Sequence, residues 1–379
     1  MAQQENVDEV TAYLLTWPGM KASMCGFQFP ALNRSREVGR AGRGTDQHPA
    51  SIELQDGTSF LLRRRLHNSL FGCVYHGTRC PPPSLAAAGS SAGGGFGGSS
   101  ADAGAPAQEQ PLGVAIKSSS LERMRRSLDE NVFREIAIMR YLKGENINHV
   151  GKQCVMPLLA ACISNTHLYV ITPLCGSGDL LQQVVGGYGL EERRMRVWFR
   201  QILLGLAYIH SMGLCHHDLS PENIVVTADY SVAVVMDFGM AQRLSTNSEG
   251  EFVPVRDGRV FGKYRYMAPE IMRNQEYDGR KADIWSVAVT FLLGLTGEYA
   301  WPAPTSLPVE AREIEWSDIT HYLRLKRDGA FPMLRGMRVN RNLSQGAILL
   351  LCSMLVIDSD QRPSSADELA SHPFFTAPS

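Results

Sequence analysis

The sequence predicts an α+β fold in which strands dominate the first half of the chain and helices the second. Residues 52–54 and 59–66 read as two short strands joined by an Asp-Gly turn. From residue 190 onward, apolar residues recur at helical spacing, as they do between Trp198 and Ile209. Strand-rich and helix-rich parts that are separated along the chain are typical of this class.

The composition is that of a soluble globular protein, with 44% hydrophobic and 20% charged residues among 379. A formal net charge of −1 argues against nucleic-acid and membrane partners. The N-terminal stretch lacks the basic region of a secretory signal, and no apolar run is long enough to span a bilayer. Eight scattered cysteines without a Cys-x-x-Cys pair indicate reduced thiols. We therefore expect a cytoplasmic protein, with a nuclear location also open.

Two stretches are not expected to fold into the core. Residues 1–50 are predicted to form a partly disordered N-terminal extension, because Pro18, Gly19 and the basic run 34–44 interrupt any regular pattern. Residues 81–110 consist almost entirely of Pro, Ala, Gly and Ser, which cannot bury enough apolar surface to offset chain entropy. We interpret the second stretch as a disordered insertion between two strands.

Several residues before position 150 have the chemistry of phosphate binding. Gly72 and Val74 match the end of a glycine-rich phosphate-binding loop, although His67 and Ser69 stand at the positions of its first two glycines. A strand over residues 112–117 ends in Val-Ala-Ile-Lys, which resembles the known motif whose lysine holds the α- and β-phosphates of a nucleotide, and Lys117 is the matching residue. A helix over residues 121–142 follows, and Glu135 on it is the candidate partner of Lys117, with Glu130 nearby.

The stretch Cys215–Asn223 reads Cys-His-His-Asp-Leu-Ser-Pro-Glu-Asn. One carboxylate, Asp218, can accept a hydroxyl proton, and the amide of Asn223 five residues later can hold a magnesium ion beside it. A predicted hairpin over residues 224–236 leads to Asp237-Phe238-Gly239, which supplies a second magnesium ligand, Asp237. Met267-Ala268-Pro269-Glu270 and Ala282-Asp283-Ile284-Trp285 follow.

In this order the motifs resemble those of the eukaryotic protein kinase family, over roughly residues 51–376. The resemblance implies the two-lobed kinase fold: a β-rich N-lobe (51–172) with an αC helix, a hinge (173–178) and a mostly helical C-lobe (179–376). It implies ATP and Mg²⁺ as cofactors and protein substrates as partners, and it leaves the oligomeric state open.

The resemblance also assigns roles to individual residues. Thr172 would border the rear of the nucleotide pocket, backbone groups of Pro173 and Cys175 would bond adenine, and Asp179 would either bond the ribose or cap the next helix. The residues implied to bind the nucleotide are Gly72, Val74, Ala115, Lys117, Thr172, Pro173, Cys175, Asp179 and Val225.

Three structural contacts are implied as well. Arg362 would pair with Glu270, and Asp283 would anchor the backbone of the catalytic loop. His216 and Phe238 would stack in a hydrophobic spine, with Met139 above them.

Departures from the family pattern concern regulation and phosphate handling. His217 replaces the arginine that pairs with a phosphorylated activation loop, so we predict that activity does not require phosphorylation at Ser245, Thr246 or Ser248. Ser220 stands where a lysine is usual, and Lys263 where a threonine is usual. Lys263 would either supply the missing charge to the transferring phosphoryl group, as a fourth catalytic residue beside Asp218, Lys117 and Glu135, or face solvent.

Pro221 and Glu222 favour serine/threonine over tyrosine specificity. The alternative function is that of a pseudokinase, which binds nucleotide or partners without phosphoryl transfer. A metal site at Cys215, His216 and His217 is disfavoured, because adjacent side chains diverge and no second ligand pair lies nearby in the sequence at zinc-like spacing.

Overall fold

The computed structural model describes residues 28, 32–41, 48–82, 113–126, 131–144, 147–184, 188–249, 252–253, 262–299 and 343–376. The chain divides into two compact units. A strand-rich unit comprises Ala31–Leu128 and Leu158–Leu174, and a mainly helical unit comprises Met1–Pro30, Asp129–Pro157 and Cys175–Ser379. Strands and helices are thus largely segregated, as the predicted α+β class requires.

The strand-rich unit is a closed barrel with the strand order β1-β2-β3-β4-β5-β7-β6. Neighbouring strands are antiparallel except β1 and β6, which are parallel. A short helix, α1 (Leu121–Arg126), follows β5. The strands are β1 (Asn33–Val38), β2 (Ser51–Leu54), β3 (Ser59–Ser69), β4 (Gly72–Cys80), β5 (Gly113–Ser120), β6 (Ala160–Ile163) and β7 (His167–Pro173).

Alternation along these strands fills the barrel with apolar side chains. Ile52, Phe60, Tyr75, Ile116 and Ile171 belong to one buried cluster in its interior. Because side chains of a strand point alternately to opposite faces, the residues between them lie on the outer face of the barrel. That outer face carries four of the residues predicted to bind a nucleotide: Val74, Ala115, Lys117 and Thr172.

The prediction of an irregular backbone over residues 34–44 is wrong for Asn33–Val38, which forms β1. The sequence of β1 shows no apolar alternation, because the strand is held largely by polar contacts. Glu37 Oε1 accepts hydrogen bonds from Ser164 Oγ (2.6 Å), Thr166 Oγ1 (2.9 Å) and Tyr169 OH (2.8 Å). Most of the remaining extension, and residues 83–110 of the predicted insertion, lie outside the described residues.

The helical unit contains eight described α-helices and six short strands, with 3₁₀ turns between them. The helices are α2 (Val132–Lys143), α3 (Leu180–Gln183), α4 (Glu192–Ser211), α5 (Pro269–Met272), α6 (Gly279–Thr296), α7 (Gln345–Met354), α8 (Ala366–Ala370) and α9 (Pro373–Thr376). The strands are β8 (Leu214–Cys215), β9 (Ile224–Val226), β10 (Ala233–Val235), β11 (Gln242–Arg243), β12 (Ser245–Thr246) and β13 (Phe252–Val253).

Helices α4 and α6 form the centre of this unit. The rings of Phe199 and Phe291 stack with centroids 3.7 Å apart, and Trp198 and Trp285 are almost fully buried. Such large buried side chains each contribute about 1.5–3 kcal/mol to folding. Helix α4 confirms the helical spacing predicted between Trp198 and Ile209, and the motif at residues 282–285 lies within α6.

Three predicted elements differ in the structure. The single helix expected over residues 121–142 is two helices, α1 and α2, and Asn131 caps α2 by accepting the backbone N–H of Phe133 (3.0 Å) and of Arg134 (3.2 Å). Helix α2, predicted to belong with the strands, groups with the helical unit. The apolar run over residues 155–159 also predicts a buried strand from the sequence, but these residues follow a 3₁₀ turn and precede β6.

In the part of the chain that the structure describes, no helix combines the length and the apolar content that crossing a membrane would require.

Candidate active site

Asp283, near the start of α6, holds the backbone of the catalytic loop. Its Oδ2 accepts the N–H of His216 and its Oδ1 that of His217, each over 2.8 Å. His210 Nε2, at the end of α4, lies 3.0 Å from Oδ2. Burial alone would raise the pKa of Asp283, but the hydrogen bond from His210 and the neighbouring histidines hold this pKa below its usual value. The anchoring role implied for Asp283 is confirmed.

The Asp218 carboxylate is oriented by donors on both sides. Asn223 Nδ2 donates to Oδ2 over 2.7 Å and also to the backbone carbonyl of Asp218. The backbone N–H of Lys263 donates to Oδ1 over 3.1 Å. The positive φ of His217 (64°) turns the chain sharply just before Asp218. The carboxylate is therefore fixed in direction yet remains partly accessible, as a group that receives a proton from a substrate must be.

Lys263 lies against the catalytic loop. Its Nζ is 2.7 Å from Ser220 Oγ and 3.2 Å from Asp218 Oδ2. The lysine and the serine that depart from the family pattern are thus in contact. These contacts support the interpretation in which Lys263 brings a positive charge to the catalytic loop, and its side chain is at the same time 40% exposed.

Gly262 allows this approach. It has a positive φ of 85°, and a Cβ atom at this position would clash with the backbone carbonyl of His217. Only glycine combines this backbone conformation with so close a contact at little cost. In the sequence, Gly262 is distinguished only by its place before Lys263.

Asp237 and Asn223 are linked through the backbone. Met236 donates its N–H to the carbonyl of Asn223 over 2.9 Å, and Asp237 follows directly with a positive φ of 66°. The Asn223 amide nitrogen is used by Asp218, which leaves its amide oxygen for a metal ion. An amide oxygen and a carboxylate are ligands that Mg²⁺ prefers, so the donor set fits the predicted ion.

Two further contacts support the Asp-Phe-Gly motif. The rings of His216 and Phe238 lie 5.3 Å apart at 56°, so the contact implied for them is present with tilted rather than parallel rings. The guanidinium of Arg134 donates to the carbonyl of Gly239 and so ties α2 to the motif. Arg134 was not predicted, because a buried arginine on a helix has no local sequence signal.

In the strand-rich unit, four predicted nucleotide-binding residues share the outer face of the barrel. Val74 on β4 is paired directly with Lys117 on β5, and Ala115 is paired with Thr172 on β7. Ala115 and Lys117 are two residues apart and so point to the same side. The structure therefore brings these four together around a single sheet surface.

The predicted phosphate loop is a tight hairpin. Strands β3 and β4 remain paired up to Ser69 and Gly72, so that only Leu70 and Phe71 form the turn. A Cβ on Gly72 would clash with the carbonyl of Ser118, which shows that this glycine is also needed for strand packing. Leu70 is exposed and Phe71 is buried.

The remaining candidates for nucleotide binding are distributed around the predicted hinge. Pro173 ends β7 opposite Val114, and the carbonyl of Cys175 accepts the N–H of Gly178 over 3.4 Å. Asp179 forms an isolated bridge with Val225. Its carboxylate accepts the N–H of Gln182 over 2.8 Å, so it caps α3; this is one of its two predicted roles.

Glu135 belongs to the helical unit, whereas Lys117 belongs to the strand-rich unit. Glu135 lies in the first turn of α2 and is only 5% exposed. A carboxylate so deeply buried is uncommon unless it has a specific role, which favours it as the predicted glutamate. Its alternative, Glu130, lies outside the described residues.

Contrary to the prediction, a second pair of ligand-type side chains does lie near Cys215: His210, Cys215 and Asp283 bring their ligand atoms within 4.8 Å of one another. The oxygens of Asp283 are, however, occupied by His210 and two backbone N–H groups. Burial also raises the pKa of the Cys215 thiol well above its usual value, which opposes the thiolate that metal binding needs.

The chain is similar in sequence to known proteins. Residues 93–375, more than half of the chain, match the protein kinase domain family. Serine/threonine-protein kinase SAPK3 of Oryza sativa subsp. indica is 32% identical over 192 residues, which is 50% of this chain and 52% of that protein. An abscisic acid-inducible protein kinase of Triticum aestivum is 30% identical over 251 residues, 65% of this chain and 66% of its own length.

Serine/threonine-protein kinase SRK2I of Arabidopsis thaliana is 33% identical over 178 residues, which is 47% of this chain and 45% of that protein. The chain thus spans about half the length of the rice and Arabidopsis relatives that it matches. The extent of the family match, together with the arrangement of Asp218, Asn223 and Asp237, identifies the family: the chain belongs to the protein kinase domain family.

Proposed function

We propose that this chain is an ATP-dependent protein kinase that transfers the γ-phosphoryl group of ATP to serine or threonine hydroxyls of protein substrates. The observation that carries the proposal is the Asp218 carboxylate, which Asn223 and Lys263 orient while Asp283 holds the loop beneath it. The relatives are named as serine/threonine or protein kinases, which supports the substrate class.

In the proposed reaction, the hydroxyl oxygen of the substrate forms a bond to the γ-phosphorus as the bond from that phosphorus to the β,γ-bridging oxygen breaks. The electron pair of the broken bond leaves with ADP. The hydroxyl proton passes to the Asp218 carboxylate and then to water, so the products are ADP, the phosphorylated hydroxyl and a proton. Asp218 acts by orienting the hydroxyl and receiving its proton.

Asn223 and Asp237 would hold magnesium, which supplies positive charge against the phosphates when bound. The chain's own contribution is to fix these two ligands. Asn223 is held by Asp218 and by the backbone bond from Met236, and Asp237 Oδ1 accepts the N–H of Gly239 over 3.1 Å. Both ligand side chains therefore have a defined direction without any bound ion.

The nucleotide would lie on the outer face formed by Val74, Ala115, Lys117 and Thr172. Lys117 would hold its phosphates. The tight hairpin at Ser69–Gly72 favours the alternative, a pseudokinase, since two glycines that would let phosphate oxygens approach the backbone are absent.

One experiment separates the two functions. The purified full-length chain is incubated with radiolabelled ATP, Mg²⁺ and a peptide array, and the phosphorylated residue type is determined. We expect transfer to serine or threonine, with a loss of at least about 100-fold in Asp218→Asn. ATP binding without transfer, unchanged by Asp218→Asn, would identify a pseudokinase instead.

A further inference from the structure

We propose that Lys263 contacts the γ-phosphoryl group directly, so that the activation segment, and not the catalytic loop, supplies this positive charge. The inference rests on the proposed kinase function and deepens it. It begins from a contact between two residues that both depart from the family pattern: Lys263 Nζ lies 2.7 Å from Ser220 Oγ.

The ammonium group of Lys263 lies beside the proposed catalytic carboxylate. The same Nζ is 3.2 Å from Asp218 Oδ2, the carboxylate that would receive the hydroxyl proton. An ammonium group has three N–H donors. Among the described residues, two acceptors contact this ammonium, Asp218 and Ser220, which leaves one N–H for a phosphoryl oxygen. The Lys263 side chain is 40% exposed, so a ligand can reach it.

The Lys263 backbone is also fixed on both sides. Gly262 packs against the carbonyl of His217 in a conformation that requires glycine. After Lys263, a 3₁₀ turn (Tyr264–Tyr266) begins with the N–H of Tyr266 donating to the Lys263 carbonyl over 2.9 Å. Ser286 Oγ on α6 then donates to the carbonyl of Tyr266 over 2.8 Å. The backbone that carries Lys263 is therefore held in place against the catalytic loop and α6.

The chemistry explains why a cation is needed there. In phosphoryl transfer the negative charge is spread over the equatorial phosphoryl oxygens, and a fixed cation beside them stabilises the transition state. Ser220 is buried and uncharged, so the catalytic loop itself carries no cation at this position. Lys263 would supply to the phosphoryl oxygens the positive charge that Ser220 lacks.

A regulatory consequence follows from the location of this charge. Lys263 gives Asp218 both a backbone donor and an ammonium, and both belong to the activation segment. Displacing Gly262 and Lys263 from the catalytic loop would remove the two together. Docking of this short stretch is therefore expected to control the rate of transfer.

The test compares the wild-type chain with Lys263→Met and with the double variant Ser220→Lys/Lys263→Thr, which moves the lysine to the catalytic loop. We expect Lys263→Met to lower kcat by at least tenfold, about 1.4 kcal/mol, with a smaller change in KM for the peptide. The double variant should recover kcat to within a few-fold of the wild type. Arg265→Met is the matched control, because it removes a cation of the same segment whose guanidinium stacks on the Tyr299 ring, with Cζ 3.8 Å from the ring centroid. Its kcat should stay close to that of the wild type.

A binding measurement gives a readout that does not depend on turnover. Titration calorimetry with ATP and with ADP should show that Lys263→Met weakens ATP binding more than ADP binding, because only ATP carries the γ-phosphate. Equal effects on the two nucleotides, or a loss in kcat of less than tenfold, would overturn the proposal. So would a folded double variant that stays as slow as Lys263→Met. A wild-type chain without transfer refutes the kinase function, whereas the ATP/ADP comparison still decides the contact.

Discussion

Arg362 and Glu270 form a two-point ion pair inside the helical unit, with Nη1–Oε1 at 2.6 Å and Nη2–Oε2 at 3.1 Å. The arginine also donates to the carbonyls of Val356 and Lys281, so it joins α5, the start of α6 and the segment after α7. Its guanidinium lies 5.0 Å from the ring centre of Trp285. The pairing that the kinase resemblance implies is thus present and is fully buried.

Glu270→Gln is expected to lower the free energy of unfolding by about 3–5 kcal/mol, because it leaves the buried guanidinium of Arg362 without a counter-charge. Urea denaturation followed by tryptophan fluorescence measures the change. Glu122→Gln is the control, since its pair with Arg126 is exposed on both sides and such pairs contribute about 0–1 kcal/mol. A loss in Glu270→Gln no larger than in this control would contradict the structural role of the pair.

Gly279→Ala should destabilise the helical unit although alanine favours helices. A Cβ at Gly279 would lie 2.7 Å from Cys215 Sγ and 3.1 Å from His217 Cε1. Overpacking of this kind costs about 1–3 kcal/mol, which outweighs the gain of up to about 1 kcal/mol in helix propensity. Thermal denaturation should show the loss, and removing the sulfur in Gly279→Ala/Cys215→Ala should recover part of it.

Gly294→Ala in the same helix is the matched control for that substitution. Its added Cβ would meet the terminal methyl of Met195, a flexible side chain that can move aside. The loss at Gly294 should therefore be smaller. A smaller loss at Gly279 than at Gly294 would mean that Cys215 and His217 do not confine the start of α6.

Much of the site was predictable because its chemistry fixes residue types at short spacings. Asp218, Asn223 and Asp237 are recognisable from the chain alone, and the structure keeps the order and hairpin that their motifs imply. Gly262 and His210 were not predictable as parts of the site. Each acts through one contact with a residue distant in sequence, and a single sequence does not record such pairings.

In the barrel, too, a contact between residues distant in sequence could not be predicted from the local pattern. Strands β2–β5 and β7 carry apolar alternation or turn signals, which report local burial. Strand β1 carries Asn, Arg, Ser and Glu and was predicted as irregular, because its main side-chain anchor is the hydrogen-bonded carboxylate of Glu37. The order of the motifs can thus be predicted from the sequence. The hydrogen bonds between Glu37 and residues far along the chain cannot.

Glu37→Gln is predicted to destabilise the strand-rich unit by about 1–2 kcal/mol at neutral pH, because three hydroxyl donors lose a charged acceptor. Burial by itself would raise the pKa of Glu37, but the hydrogen bonds from Ser164, Tyr169 and Thr166 leave it below the ordinary value of 4.5. A carboxyl whose pKa is lowered by folding stabilises the protein above its unfolded pKa, and this stability is lost as pH falls through the folded pKa.

The difference in melting temperature between wild type and Glu37→Gln should therefore shrink as pH falls below about 4.5. Melting curves recorded between about pH 6 and pH 3 test this. Glu53→Gln, at an exposed position of β2, provides the reference for substitution of a surface glutamate. A difference that grows steadily on acidification would show that the charged form of Glu37 is not the one that the three hydroxyls stabilise.

Activity is not expected to depend on phosphorylation of the activation loop. A phosphorylated activation loop acts by pairing with a fixed cation, and the residue before Asp218 is here a histidine. His217 is buried, with its ring edge-on to that of Tyr277 (centroids 5.9 Å apart, 88°) and close to Gly279. Ser245, Thr246 and Ser248 are exposed. We therefore expect the variant with all three replaced by Ala to keep its kcat to within about threefold, well under the tenfold that corresponds to about 1.4 kcal/mol.

The experiment measures initial rates before and after phosphatase treatment, and mass spectrometry confirms the loss of phosphate. Asp218→Asn is the inactive reference. A fall in activity to that reference would show that a cation other than the residue before Asp218 pairs with the loop phosphate, and would contradict the prediction.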